Sequence, residues 1–180
     1  MMGRRFSLLG IVLVVLLAGC TFGFDPNTTT PIAGGTTGGG GSVPAGEDAT
    51  VNFVIDGDTI DVTINGQSQR VRYIGVNTPE RDEVCYNEAR QANTLFVNGK
   101  TVRLVKDVEN TDRYDRLLRY VYVDGLFVNQ ALIEQGYAEV VSYPPNTAHY
   151  QTFRQLEQEA RNANRGCHPT GIFNDGSDTR

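Results

Sequence analysis

Val51-Asn52-Phe53-Val54, Ile60-Asp61-Val62-Thr63-Ile64 and Arg70-Val71-Arg72-Tyr73-Ile74 alternate apolar and polar side chains at the two-residue period of a half-buried strand. Asn65-Gly66 joins the second run to the third and is a strong signal for a tight hairpin. The three runs predict an antiparallel meander, whose apolar face needs a covering layer.

The chain that follows supplies that layer. The spacing of Cys85, Ala89, Ala92 and Phe96 predicts a helix over 83–97, ended by Asn98-Gly99. Thr101–Val105 and Leu117–Val123 read as strands, and Asp124-Gly125 turns the chain into Leu126-Phe127. A short helix over 128–135 closes at Gly136, and Tyr150, Phe153, Leu156, Ala160 and Ala163 form the apolar stripe of a third helix. The order is three strands, helix, two strands, two helices. Five short strands that cannot bury both faces alone are satisfied by a Greek-key barrel with three helices packed around it, a mainly β member of the α+β class.

The ends carry other signals. Arg4 and Arg5, an apolar run over 8–17 and small residues before Cys20 make residues 1–19 an export signal, too short in its apolar part for a spanning helix. The Leu17-Ala18-Gly19-Cys20 ending looks like a lipoprotein signal, which implies cleavage before Cys20 and lipidation of its thiol; an uncleaved anchor helix or an ordinary secretory signal is the alternative. Either way the domain is expected outside the cytoplasm, anchored to the outer face of the cell membrane or secreted. Residues 20–49, rich in Thr, Gly and Pro, have almost nothing to bury and are expected to act as a flexible tether. One domain is expected over 50–168, with a flexible tail over 169–180.

With Cys20 consumed by lipid, Cys85 and Cys167 remain as an even pair in an oxidising compartment and are expected to form a disulfide. Two buried free thiols are the alternative. Closing a loop of that length is worth roughly 4 kcal/mol in the chain-entropy picture.

The chain has 16 Lys plus Arg against 21 Asp plus Glu, a net charge of −5. That balance argues against tight, counterion-driven binding to a phosphate backbone. Local positive potential from Arg72, Arg113, Arg116 and Arg119 beside a divalent metal is still enough to hold a phosphate in a reaction site. His149 and His168 do not form a Cys/His zinc spacing, no serine nucleophile elbow is present, and the glycine run over 38–41 lacks the flanking strand and helix of a phosphate loop.

The charged residues that remain unexplained by the fold are Asp58 in Ile55-Asp56-Gly57-Asp58-Thr59, Arg72 and Glu80 flanking Tyr73-Ile74-Gly75-Val76-Asn77-Thr78-Pro79, and Arg116 in Asp112-Arg113-Tyr114-Asp115-Arg116. Hard oxygen ligands, a carboxylate able to handle a water proton and two guanidinium forks are the groups that phosphodiester hydrolysis requires. These residues, in this order over about 50–165, resemble the thermonuclease family, the staphylococcal-nuclease-like domains. The resemblance implies an oligonucleotide-binding (OB-fold) barrel. It also implies a calcium-dependent endonuclease that hydrolyses DNA and RNA with little sequence specificity and leaves 3′-phosphate ends.

Carried over residue by residue, the resemblance makes Asp58 a metal ligand, with Asn77 and the Thr78 carbonyl beside it. Asp56 then caps or supports the turn. Asn77 stands where many relatives carry an aspartate; its amide oxygen can ligate Ca²⁺ but adds no charge, so weaker metal binding is expected. Glu80 matches the glutamate that orients or deprotonates the attacking water, and Arg72 and Arg116 match the arginines that grip the phosphate. Arg113, Tyr114 and Tyr143 correspond to substrate-edge positions. Asp115 replaces a usual glycine and could pair with Arg116 or alter the turn. Read without the resemblance, Asp58 is a turn residue, Glu80 a solvated loop carboxylate, the arginines surface ion pairs and Tyr143 loop packing. A non-catalytic OB-fold module that binds nucleic acid or a partner protein is the rival reading. No obligate protein partner is expected, and the chain should be a monomer.

Overall fold

The computed structural model describes residues 43–174. The expected signal over 1–19, the lipidation of Cys20, most of the tether and residues 175–180 lie outside the described residues.

Three strands, β1 (Glu47–Val54), β2 (Thr59–Ile64) and β3 (Gln67–Tyr73), pair antiparallel in sequence order. Asn65 and Gly66 both take positive φ, 48° and 79°, the pair of left-handed residues that a two-residue hairpin of this twist requires. After α1 (Tyr86–Val97), strand β5 (Thr101–Val105) returns to pair with β1, and β6 (Leu117–Val123) pairs with β5. The parallel pairing of β6 with β3, Val71 opposite Leu117, closes the ring β1-β2-β3-β6-β5. This is the closed five-stranded OB-type barrel, and closure leaves those strands no open edge. Its interior is a layer of fully buried β-branched and aliphatic side chains, among them Val51, Ile60, Val62, Val71, Val102, Leu104 and Val121.

Two very short strands that alternation cannot reveal, β4 (Val76–Asn77) and β8 (Glu139–Val140), pair with each other outside the barrel. A two-residue strand, β7 (Leu126–Phe127), leads into α2 (Val128–Glu134), and α3 (Tyr150–Asn162) packs on α2 with Phe153 and Ala160 buried.

Several details differ from the sequence reading. β1 starts at Glu47, because Ala49 and Val51 both point inward; alanine is too small to register as the start of an apolar alternation. Between Val51 and Phe53 the register with β2 shifts by a bulge, and this turns Phe53 outward, where it is 53% exposed. Helix α1 starts at Tyr86, later than 83. Cys85 sits before it in the left-handed region (φ 72°) and is bonded to Cys167. Past Cys167 the chain makes two short 3₁₀ turns, His168–Thr170 and Ile172–Asn174, with Phe173 buried. Order therefore continues beyond residue 168.

Candidate functional site

The site is built on two loops and the ends of the strands they join. The first loop, after β1, is a tight turn in which Ile55 and Asp56 both donate backbone N–H groups to the Thr59 carbonyl and Asp58 N–H donates to Asp56 Oδ1 at 3.0 Å. A Cβ on Gly57 would stand 2.7 Å from the Thr78 side chain, so only glycine lets this turn lie against the 77–79 segment. The turn presents Asp58 inward, 4% exposed, yet fully partnered. One of its oxygens accepts the backbone N–H and the hydroxyl of Thr78, at 2.9 and 3.0 Å. The other accepts the Thr59 hydroxyl and faces Arg72 Nε at 3.2 Å. Asp56 is pushed up to about 7, first by burial and then by the charge of Asp58.

Arg72, at the end of β3, links this turn to the next layer. Its Nη1 donates to the carbonyls of Tyr73 and Val76 at 2.9 and 2.7 Å, and its Nη2 donates to Asn77 Oδ1 at 3.2 Å. With Nε on Asp58, most of the guanidinium fork is turned to protein, and what remains for a ligand is at Nη2. Asn77, 1% exposed, donates its own Nδ2 to Glu139 Oε1 at 3.1 Å. Glu139 is buried opposite Asn77 in the β4–β8 pair. The sequence reading missed it, although a lone carboxylate inside the apolar run Tyr137-Ala138-Glu139-Val140-Val141 is a legible oddity.

The second loop precedes β6. Asp112 Oδ1 accepts the backbone N–H groups of Tyr114 and Arg116, and Asp112 Oδ2 accepts Arg116 Nε at 2.7 Å. Burial alone would raise the Asp112 carboxyl; the Arg116 and Tyr114 hydrogen bonds outweigh it and hold the group below its ordinary value. Arg116 therefore pairs with Asp112 and not with Asp115. Asp115 occupies the left-handed region at φ 61°, which explains why glycine suits this place and why aspartate, tolerant of that region, can stand there. The terminal nitrogens of Arg116 carry no hydrogen bond among the described residues. Arg113 and Arg116 both lie over the ring of Tyr114, at 4.7 and 5.4 Å from its centroid.

A cavity of about 670 Å³ opens between these parts, lined by Arg72, Gly75, Arg113, Tyr114, Arg116 and Tyr143 among others. Arg72 is the side chain common to the cavity and the acidic turn. Asn146, which the sequence reading passed over, holds the cavity's far wall: its Oδ1 accepts the N–H groups of Val108 and Glu109, and its Nδ2 donates to Glu109. Arg119, expected to add positive potential, does not reach the site. It is 5% exposed and bonded to Glu47, Asn110 and the Leu118 carbonyl, tying β6 to β1.

Glu80 is the exposed member. Its backbone N–H donates to Glu83 Oε2 at 2.8 Å. Its carboxyl is raised, first by partial burial and then by Asp58, against the pull of Arg72 and Arg116. It thus lies within electrostatic reach of all three other charged residues singled out in the sequence.

Whether a metal fits can be judged from the donor set. Among the described residues no group of three or more His, Cys, Asp and Glu is placed to hold an ion. The oxygens at hand are the Asp58 carboxylate, the Asn77 amide and the Thr78 backbone, with Asp56 alongside. An all-oxygen set with few charges suits a hard cation of irregular coordination such as Ca²⁺ and does not suit zinc. The two carboxylates forced together in the 56–58 turn leave negative potential that such a cation would relieve.

The chain matches known proteins in sequence. The family model described as staphylococcal nuclease homologue matches residues 70–167, more than half of the chain. The chain is 42% identical over 122 residues to the SPbeta prophage-derived endonuclease YokF of Bacillus subtilis (strain 168) and 43% identical over 120 residues to endonuclease YncB of the same organism. These alignments cover 63% and 62% of the chain but only 41% and 57% of the two relatives. It is 38% identical over 122 residues to the thermonuclease of Staphylococcus intermedius, covering 64% of the chain and 73% of that protein. By the family match and the thermonuclease alignment together, this chain belongs to the staphylococcal nuclease homologues.

Proposed function

We propose that the chain is a calcium-dependent endonuclease that hydrolyses phosphodiester bonds of DNA and RNA with little sequence preference. What supports this reading is that Asp58 pairs with Arg72, that Arg72 and Arg116 line one cavity, and that the Glu80 carboxyl feels the charge of all three. A binding module has no need of a carboxylate beside a phosphate; hydrolysis does. The relatives named as endonucleases and thermonuclease support the same reading.

In this mechanism Asp58, Asn77 Oδ1 and the Thr78 carbonyl are the groups that would hold the cation, which would supply neutralisation of phosphate charge. Arg116, which lines the cavity and whose terminal nitrogens carry no hydrogen bond among the described residues, takes the bidentate grip on the phosphate, and Arg72 adds one donor from Nη2. Glu80 accepts a proton from the attacking water; its raised pKa brings the carboxylate nearer to the strength of a useful base. The bond to the 5′ oxygen breaks, that oxygen takes up a proton from solvent, and a 3′-phosphate remains. Tyr114 and Tyr143 are exposed aromatic side chains at the cavity edge, where a base can pack, and Arg113 offers a second cationic contact. With Asn77 contributing no charge, calcium binding should be weak, in the range that extracellular calcium fills.

The test is plasmid degradation with calcium, then with chelator, by the wild type and by Glu80→Gln. Cutting that needs calcium and falls at least about a hundredfold in the variant supports the reading. Binding without cutting by the wild type would replace it with the nucleic-acid-binding alternative. End-labelling of the fragments reads the 3′-phosphate directly. For location, we infer export and lipid anchoring through Cys20; a Cys20→Ser chain that stays in the membrane fraction would refute the anchor.

A further inference from the structure

A second groove is formed by residues that flank the acidic turn and Glu80 in the chain. It is lined by Phe53, Ile55, Arg81, Tyr86, Asn87 and Arg90 and shares no lining residue with the Arg72–Arg116 cavity. We propose that this groove is a binding subsite for single-stranded polynucleotide, taking a base and its phosphate beyond the nucleotides that flank the scissile bond. The inference rests on the nuclease reading for its position and deepens it by assigning the substrate class.

Three observations carry it. The β1 bulge turns Phe53 out of the barrel wall, and the Arg90 guanidinium lies 5.6 Å from its ring centroid. Arg90 is itself held by the carbonyls of Val54 and Ile55, and Tyr86 OH donates to the Ile55 carbonyl at 3.2 Å, so the platform is prebuilt. An exposed aromatic ring backed by fixed cations is the arrangement that stacks a base without reading its identity. Secondly, the groove's charged lining is wholly cationic, Arg81 and Arg90, in a chain whose net charge is −5. Arg81 makes no ion pair among the described residues and is exposed. Thirdly, the groove's lining is close along the chain to the residues of the reaction site: Ile55 precedes Asp58 by three positions, at most about 10 Å of extended chain, and Arg81 follows Glu80 directly. A strand leaving the site in that direction meets phosphate-seeking and base-stacking groups together.

The experiment compares kcat/KM on a thymidine dinucleotide and on a thymidylate oligomer of about a dozen residues, for the wild type, Phe53→Leu and Arg81→Ala. The wild type should favour the longer strand. Each variant should lose about fivefold or more on it while staying within about twofold on the dinucleotide, the size expected for one stacked base. Equal losses on both substrates, losses on neither, or a wild type indifferent to length would each overturn the proposal. If the wild type cuts neither substrate, the nuclease reading fails instead. Fluorescence anisotropy of a labelled oligomer in chelator then decides the groove alone: weaker binding by both variants upholds it, and unchanged binding overturns it.

Discussion

Asn77 and Glu139 face each other across the β4–β8 pair, amide nitrogen to carboxylate oxygen, and this fixes which end of the amide points at Arg72. An aspartate at 77 would instead set two buried carboxylates against each other. Asn77→Asp should therefore be better tolerated by about 1 kcal/mol or more when Glu139→Gln is also present, a coupling that a double-mutant cycle from urea unfolding in chelator measures. Independent, additive effects would show that Glu139 does not set the amide. Asp56 offers a pH test. Its pKa is raised from 3.8 to about 7, so between those values the folded state holds a proton that the unfolded state releases. The stability it contributes is intact below about pH 4 and is lost as pH rises through about 7. In chelator, Asp56→Asn should thus melt higher than the wild type by several degrees near pH 8, with the gap closing near pH 5, since each pKa unit is worth about 1.4 kcal/mol. A gap of the same size at both pH values would refute the raised pKa. At this scale, Asp58, Arg72, Glu80 and Arg116 stand out in the sequence because their order along the chain resembles a family pattern. The roles of Glu139 and Asn146 do not show there, because their partners lie far along the chain, with Asn77 and Glu139 separated by 62 positions.

Helix α1 is positioned by what precedes it. Cys85, left-handed and bonded to Cys167, ties the start of the helix to the end of the chain that follows α3, and the 80–85 segment carrying Glu80 and Arg81 runs directly into that anchor. A bridge between residues 82 positions apart closes most of the domain into a loop, so reduction should cost about 2–4 kcal/mol in urea unfolding. The paired Cys85→Ser, Cys167→Ser chain should match the reduced protein, and a reduced protein as stable as the oxidised one would defeat this account. The same elements show what sequence pattern can deliver. Asn65-Gly66 and Asp124-Gly125 marked their turns because positive φ admits few residue types, and α2 and α3 were visible from their apolar stripes. The bulge in β1 left no such mark: Phe53 reads as one more inward residue of a strand until the pairing with β2 shows the register shift. β4 and β8 are two residues each, shorter than any period can expose.

For the molecule as a whole, the opposition is between a net charge of −5 and a substrate that is itself a polyanion. Long-range attraction is absent, so binding has to come from the few cations that the fold concentrates. Arg119 is spent on Glu47 inside the β6–β1 join, which leaves Arg72, Arg113 and Arg116 at the cavity. Each phosphate contacted on a single strand changes the logarithm of affinity by about −0.7 per logarithm of salt. Arg72 and Arg116 on one phosphate and Arg113 on a second give a slope of about −1.4, so KM on a short strand should rise about sevenfold between roughly 50 and 200 mM salt at fixed calcium. On a strand long enough to reach Arg81 the slope should steepen to about −2, and Arg81→Ala should return it to about −1.4. A slope beyond about −4 on the short strand would mean that cations outside these two grooves hold the substrate. A flat response would mean that phosphate is not gripped by arginine at all, and the chemistry assigned to Arg116 would have to be abandoned.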